Sequence, residues 1–159
     1  RFLALEAAGW KGRNGTALAT AGHGPLFLEL ASSFAAEDRF RLYALTAGER
    51  VVAMSTMLVA GDMAFGFKSA YDERHRPDAP GALLLHEMLD ELRSDDRLRI
   101  IDSCSAPDSE LVNRMMPDRR ELVSFVIASR AVRPLIRAAI RLRRAVRPTL
   151  TRIGDRRRP

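Results

Sequence analysis

The stretch MAFGFKSAYDERHRPDAPGALLLHEMLDELR, residues 63–93, decides the fold. Its first part alternates Met63, Phe65 and Phe67 with smaller or polar residues, which is the period of a β-strand. Its last part, Ala82 to Arg93, spaces leucine and methionine as on one face of a helix. The polar segment between them, Tyr71 to Gly81, contains two prolines and is predicted to be a loop.

Further strands on both sides of this stretch predict a mixed sheet. Strands at Phe40–Thr46 and Val51–Val59 are joined by a hairpin-like turn, and a short strand follows at Leu98–Ser103. A strand-helix-strand unit is usually parallel, so Leu98–Ser103 should lie parallel to Met63–Ser69. The remaining predicted elements are helices at Phe2–Ala8, Leu26–Asp38 and Ser109–Met116, and a last strand at Leu122–Ala128. We expect an α/β (α+β) fold with a mixed, mostly antiparallel sheet flanked by helices.

The charge of the chain is concentrated at one end. The 159 residues carry a net charge of +6, yet residues 130–159 contain eleven arginines and one acid. We therefore expect a globular domain over residues 1–129, then a basic amphipathic helix at 131–146 and a disordered tail. Such a helix can lie on an anionic membrane, grip nucleic acid or dock on its own protein. Of these partners, we do not expect nucleic acid.

The remaining composition bears on metal sites and location. Cys104 is the only cysteine, so an internal disulfide or a cysteine metal cluster is excluded, and the three histidines lack metal-ligand spacing. We predict no metal. No apolar run reaches the roughly 18 residues of a membrane span, and no signal-peptide pattern opens the chain. We expect a cytoplasmic protein, at the inner face of the membrane if the tail binds lipid, and a missing N-terminal module before Arg1.

The segment Arg76–Gly81 is a candidate phosphate-binding loop. It lies between a strand and a helix, where backbone N–H groups and the helix dipole favour anions. Gly81 allows a ligand to approach the backbone, and Arg76 can pair with a pyrophosphate. Against this, Pro77 and Pro80 lack N–H donors and Asp78 would repel phosphate. An ordinary loop before a helix is the alternative.

The same loop carries a resemblance to a known family. Arg76, Ala79 and Gly81 fit the Arg/Gln-x-x-Gly-x-Gly/Ala loop of GNAT acetyltransferases, with Ala79 in place of the first glycine. Over residues 1–128 the chain further resembles the CelD/BcsL-like branch, which is related to FemAB-like transferases. The stretches that carry this resemblance are Glu6–Ala17, Lys68–Glu73 with Pro80–Leu84, and Asp102–Asp108.

The resemblance implies a GNAT fold, splayed between two strands, with a thioester donor in the splay. It implies an acyl-CoA-dependent N- or O-acyltransferase that uses acetyl-CoA or another acyl-CoA and is linked to extracellular polysaccharide production. Arg76, Ala79, Gly81 and Ala82 would contact the donor. The chain departs from its relatives after Asp108, where they tend to have His-Pro-Met. Alternatives are a FemAB-like transferase that uses aminoacyl-tRNA and a non-catalytic binding or scaffolding module.

Acyl transfer requires two aligned substrates, a base for the acceptor proton and a donor for the developing oxyanion. Glu73 is the candidate base, with a solvated acid or a cap as the alternative. Tyr71 is a candidate proton donor to the departing thiolate, a role that the resemblance implies, or else a rim aromatic. Asp102 could orient the acceptor or cap the next turn.

Three further residues are candidate substrate contacts. Trp10 and Lys11 lie in a glycine-rich turn, where they could line an acceptor pocket or lock the turn against the core. Asp72 precedes the candidate base. Cys104 could act as a nucleophile, although a small buried hydrophobic role suits it better.

Overall fold

The computed structural model describes residues 1–123 and 125–142. The chain divides into two compact units, Arg1–Asp118 and Arg119–Pro159. The domain boundary after residue 129 stays a prediction. The elements of the first unit are α1 (Phe2–Ala8), α2 (Trp10–Arg13), α3 (Gly24–Ala36), β1 (Phe40–Ala47), β2 (Arg50–Ala60), β3 (Met63–Tyr71), a 3₁₀ helix (Glu73–Asp78), α4 (Pro80–Arg93), β4 (Ile100–Asp102) and α5 (Glu110–Met115).

The four strands form one sheet in the order β1-β2-β3-β4. β1 pairs antiparallel with β2, β2 pairs antiparallel with β3, and β3 pairs parallel with β4. The chain reverses at Gly48 and Gly61, whose φ angles of 59° and 60° suit glycine in tight turns. The predicted mixed, mostly antiparallel sheet is therefore confirmed.

Helices cover the two faces of this sheet. On one face Phe2 of α1 stacks on Phe27 of α3, with ring centroids 5.2 Å apart, and both pack with Met54 of β2. On the other face Met88 of α4 packs with Met57 of β2. Burying each such side chain stabilises the fold by roughly 1.5–3 kcal/mol. The sheet is thus fixed from both sides.

The strands β3 and β4 pair over a short distance and then separate. Their last paired residues are Phe65 and Asp102, while β3 continues to Tyr71. The chains are still close at Gly66, where an added Cβ would lie 2.4 Å from the carbonyl oxygen of Ser103. Beyond that point, the edge of β3 facing β4 has no strand partner among the described residues.

A β-bulge shapes the same part of β3. Met57 pairs with Gly66 and Thr56 pairs with Lys68, so Phe67 is the extra residue. The hydroxyl of Thr56 donates to the Lys68 carbonyl at 3.0 Å and accepts from the Lys68 N–H at 3.1 Å. The bulge bends β3 where it leaves β4, because such an insertion increases the local twist.

The second unit differs from its predicted structure. Residues 122, 123 and 125–128 form no strand, and Leu122 and Ile127 are 79% and 98% exposed. The predicted strand was wrong because apolar residues form a strand only when a pleated neighbour pairs with them. Residues 133–142 are helical, within the predicted helix 131–146, and its part from 143 onward lies outside the described residues. In the described ranges, no helix combines the length and apolar character needed to cross a membrane.

Candidate active site

The separation of β3 from β4 opens onto a cavity of ≈ 460 Å³. β2, β3, α4 and the segment after β4 line it, and apolar side chains such as Met57, Leu85 and Met88 form much of its wall. Lys68 and Ser69 of β3 also line it, beside the edge without a strand partner. The gap expected from the sequence is therefore open, and it combines an apolar wall with a backbone edge.

The candidate phosphate loop ends where α4 begins. Instead of the predicted irregular loop, residues Glu73–Asp78 form a 3₁₀ helix, and Ala79 then adopts a left-handed conformation with φ 49° and ψ 49°. That conformation favours glycine. The Ala79 carbonyl accepts from the N–H groups of Ala82 and Leu83 at 2.9 and 3.1 Å. Gly81 directly precedes Ala82 in the first turn of α4, so the Gly81 N–H has no carbonyl partner within the helix.

The residues around this helix start differ in their relation to the cavity. Gly81 and Tyr71 both line it, and an added Cβ at Gly81 would contact the Tyr71 ring at 3.8 Å. A side chain at position 81 would therefore change the cavity wall. Arg76 is exposed and lies outside the residues that line the cavity.

Glu73 is held by residues distant in the sequence. Its Oε1 accepts from the Trp10 N–H at 2.8 Å, and its Oε2 pairs with Arg13 Nη2 at 2.6 Å. The hydrogen bond from Arg13 and then that from Trp10 lower the pKa of Glu73. A general base near neutral pH needs the opposite shift. Through these two contacts the Glu73 carboxylate links α2 to the 3₁₀ helix, which agrees with the alternative interpretation of Glu73 as a cap.

Asp72 is also engaged within the loop. Its Oδ1 accepts from the backbone N–H of Arg74 at 3.1 Å, and its Oδ2 pairs with Arg74 Nη2 at 2.6 Å. These hydrogen bonds lower the pKa of Asp72 to about 2. Asp72 thus caps the start of the 3₁₀ helix, and its carboxylate is paired with the neighbouring Arg74.

Asp102 and Cys104 shape the turn after β4. Asp102 Oδ1 accepts from the Cys104 N–H at 2.8 Å, as expected of an aspartate that caps a turn. Cys104 is exposed, has φ 50° and lines the cavity, so its predicted burial was wrong. Cys104 belongs to the turn that follows β4, and this turn forms part of the cavity wall instead of packing into the core. In the described ranges, no group of three or more His, Cys, Asp or Glu residues could hold a metal ion.

Lys11 lies on a short helix rather than in the predicted turn. α2 packs closely on α1 at Gly12, where an added Cβ would lie 1.8 Å from the Ala7 carbonyl oxygen. Lys11 Nζ donates to the Ser69 carbonyl at 2.6 Å and lines the large cavity. Burial is the largest influence on the pKa of Lys11 and lowers it. The charge of the neighbouring Lys68 also lowers this pKa, whereas the charge of Glu6 raises it.

Glu6 is a residue that the sequence interpretation missed. It is 1% exposed, and its Oε2 accepts from the Leu18 N–H at 2.8 Å. Its Oε1 lies 3.7 Å from Lys11 Nζ, too far for a hydrogen bond. Glu6 follows Phe2 by four residues, which places both on the same helical face. A carboxylate on an apolar helical face was the available signal.

Comparison with known proteins identifies the family. The family described as "Acetyltransferase (GNAT) domain" matches residues 1–110. The chain therefore belongs to the family of GNAT acetyltransferase domains. No curated protein matches the chain. The narrower resemblance to the CelD/BcsL-like branch stays a prediction.

Two of the solved structures that match this chain share its fold at low sequence identity. A possible acetyltransferase from Clostridium difficile 630 has a TM-score of 0.53 and 13% identity, covering 79% of this chain and 90% of that one. AAC(6')-Iy, solved with the bisubstrate analog CoA-S-monomethyl-acetylneamine, has a TM-score of 0.50 and 11% identity, covering 67% and 80%. A ribosomal-protein alanine N-acetyltransferase from Escherichia coli has 22% identity and a TM-score of 0.43 over 54% of this chain. This chain spans 58% of the length of that protein.

Proposed function

We propose that this chain is an acyl-CoA-dependent N- or O-acyltransferase module that holds its thioester donor between β3 and β4. The observation that carries the proposal is the end of strand pairing at Phe65 and Asp102, beside a cavity of ≈ 460 Å³. A continuous sheet would leave no such opening. Acetyl-CoA or another acyl-CoA is the donor class that we propose.

The backbone around the gap suits an extended donor arm. The edge of β3 after Phe65 offers N–H and C=O groups, with which an amide-containing arm can pair as an added strand does. Apolar side chains of α4, including Met88 and Leu84, would contact its methylene groups. One edge carbonyl, that of Ser69, already accepts from Lys11. The shape and polarity of the gap thus support an arm of this chemistry.

The start of α4 suits the anionic end of the donor. The helix N-terminus carries partial positive charge and unpaired N–H groups, which stabilise a pyrophosphate. We propose that Ala79, Gly81 and Ala82 form this contact with the Gly81 N–H as its donor, because the N–H groups of Ala79 and Ala82 already donate to the Arg76 and Ala79 carbonyls. Arg76 is exposed in the 3₁₀ helix before α4, and we propose that its guanidinium pairs with a phosphate from the solvent side.

The chemical step needs few groups from the protein. The acceptor attacks the thioester carbonyl, the carbon–sulfur bond breaks, and the thiolate leaves. Tyr71 lines the cavity, which supports its proposed role as the proton donor to that thiolate. Asp102 caps the turn beside the gap, and orienting the acceptor remains its proposed second role. For Glu73 and Asp72 we propose positioning of the loop rather than proton transfer, because each is paired with an arginine.

Isothermal titration calorimetry with acetyl-CoA tests the donor site. We expect Gly81→Asp to weaken binding at least about tenfold, because it adds a carboxylate to the cavity wall facing an anion. Arg76→Ala should weaken binding less, since this arginine is solvated. Arg93→Ala, at the other end of α4, is the matched control and should bind as the wild type does. Wild-type binding that persists unaltered in both loop variants would remove this loop from the mechanism.

Other parts of the interpretation remain proposals on the sequence alone. They are the link to extracellular polysaccharide, a cytoplasmic location and contact of the basic helix with an anionic membrane. Co-sedimentation with anionic liposomes, with and without residues 131–159, tests the last of these. Equal pelleting of both proteins would exclude a membrane role for that segment.

A further inference from the structure

A second, smaller cavity of ≈ 200 Å³ lies where α1 and α2 meet β3. Glu6, Trp10 and Lys11 line it on the helical side, and Ser69 and Tyr71 line it on the strand side. Lys11, Ser69 and Tyr71 also line the large cavity, so the two cavities share a wall. A group bound in the small cavity would lie beside the proposed donor site.

Glu6, which lines the small cavity, has a carboxylate oxygen that lacks a hydrogen bond. Glu6 is 1% exposed, and its Oε1 has no hydrogen-bond partner in the part of the chain that the structure describes. An ionised carboxylate oxygen accepts hydrogen bonds and donates none. Because a buried polar group without a hydrogen bond is costly, a donor that reached this oxygen would stabilise it.

Lys11 restricts what that donor can be. Its Nζ lies 3.7 Å from Glu6 Oε1 and donates to the Ser69 carbonyl at 2.6 Å. It still has N–H donors to share, because an ammonium group has three. Two hydrogen bonds of about 2.8 Å that meet at one oxygen atom span more than the 3.7 Å between Nζ and Oε1, so one such atom would join them. The pair is thus spaced to hold one oxygen that both donates and accepts.

We propose that the small cavity is the acceptor subsite and that Glu6 and Lys11 bind there an alcohol hydroxyl rather than an ammonium group. A hydroxyl donates to Glu6 Oε1 and accepts from Lys11 Nζ with the same oxygen. An ammonium group satisfies Glu6 but cannot accept from Lys11, and it places a second cation beside the first. A carboxylate would be repelled by Glu6.

This inference rests on the proposed transferase function and makes it more specific. It assigns the acceptor to alcohols, so the product is an ester rather than an amide. Trp10 lines the same cavity and is 47% exposed, which gives the carbon skeleton of an acceptor an apolar surface to pack against. Trp10 is also the only tryptophan of the chain, so its fluorescence reports on this cavity.

A matched pair of small probes tests the proposal on the full chain. Cyclohexanol and cyclohexylamine share a carbon skeleton and differ only in that one carries a hydroxyl and the other an amine, which is kept protonated by the choice of pH. Binding is followed by Trp10 fluorescence and by ligand-observed NMR. Glu6→Gln replaces the accepting oxygen by a donor, and the exposed Glu29→Gln on α3 is the matched control. Acetyl-CoA affinity is measured on the same proteins.

We expect cyclohexanol to bind wild type and Glu29→Gln equally, and cyclohexylamine to bind them at least about tenfold more weakly. Glu6→Gln should weaken cyclohexanol binding by about 10- to 100-fold, the range for a lost hydrogen bond to a charged group. Acetyl-CoA affinity should stay within about twofold. If Glu6→Gln does not fold by circular dichroism, Lys11→Met should show the same loss.

Three results would overturn the proposal. They are equal or tighter binding of cyclohexylamine, undiminished cyclohexanol binding in folded Glu6→Gln or Lys11→Met, and no cyclohexanol binding by the wild type, which would leave an ordered water as the occupant. The failure of the transferase function would look different. In that case acetyl-CoA would not bind the wild type, although cyclohexanol still bound with the expected Glu6 dependence.

Discussion

Thr56 provides the sharpest test of how the β3 bulge is held. It is 0% exposed, and its hydroxyl bonds both the N–H and the C=O of Lys68. Thr56→Val keeps the branched side chain and removes the hydroxyl. Both backbone groups of Lys68 then lose this partner in a partly buried position.

The size of the effect follows from those two groups. An unpaired buried polar group costs about 1–3 kcal/mol, so we expect Thr56→Val to lower the free energy of unfolding by about 2–4 kcal/mol. This is a large share of the roughly 5–15 kcal/mol that stabilises a typical domain. Because the bulge lies on β3 beside the large cavity, acetyl-CoA binding should weaken as well.

Urea denaturation followed by circular dichroism measures the change, with Thr46→Val as the matched control. Thr46 is an exposed threonine on β1, and its replacement should alter the unfolding free energy by no more than about 0.5 kcal/mol. Equal stability of Thr56→Val and Thr46→Val would refute the reasoning, since the two bonds to Lys68 would then contribute nothing.

Two further predictions concern stability. Gly12→Ala should destabilise the chain by about 1–3 kcal/mol or more in thermal melts, because its Cβ would lie 1.8 Å from the Ala7 carbonyl oxygen. The control Gly24→Ala should be neutral or stabilising, because the nearest contacts of its Cβ are at an ordinary 3.7 Å. Equal melting temperatures of the two variants would contradict the close packing of α2 on α1. Hydrogen bonds from Arg97 lower the pKa of Asp95 from 3.8 to about 2, so this carboxylate contributes stability above about pH 4 that is lost as the pH falls toward 2. Acid titrations should show a smaller loss of stability over that interval in Asp95→Asn than in wild type, and identical titrations would exclude this contribution.

The sheet was predictable because its signals are local. The alternation from Met63 to Phe67 and the helical spacing of Ala82–Arg93 each depend on neighbours a few residues away. The spacing of the hydrophobic residues therefore predicted β3 and α4. The order strand, helix, strand then predicted that β4 pairs parallel with β3. The stretch 122–128 shows the limit of this reasoning, since an apolar run does not say whether a strand partner is present.

The site was harder to predict because its contacts join distant parts of the chain. Glu73 was selected for its place after a strand, yet its properties come from Trp10 and Arg13, which lie 63 and 60 residues away. Glu6 was overlooked although its neighbour Lys11 was selected. Electrostatic pairing of this kind depends on tertiary packing, so sequence position alone could not show that Glu73 and Asp72 each pair with an arginine.

Hydrogen–deuterium exchange with and without saturating acetyl-CoA tests the central claim most directly. If the donor occupies the gap between β3 and β4, amides of residues 66–71 and 79–83 should gain protection, while those of the β1–β2 hairpin at residues 44–50 should not change. Unchanged exchange in residues 66–71, while calorimetry shows that acetyl-CoA is bound, would contradict the account.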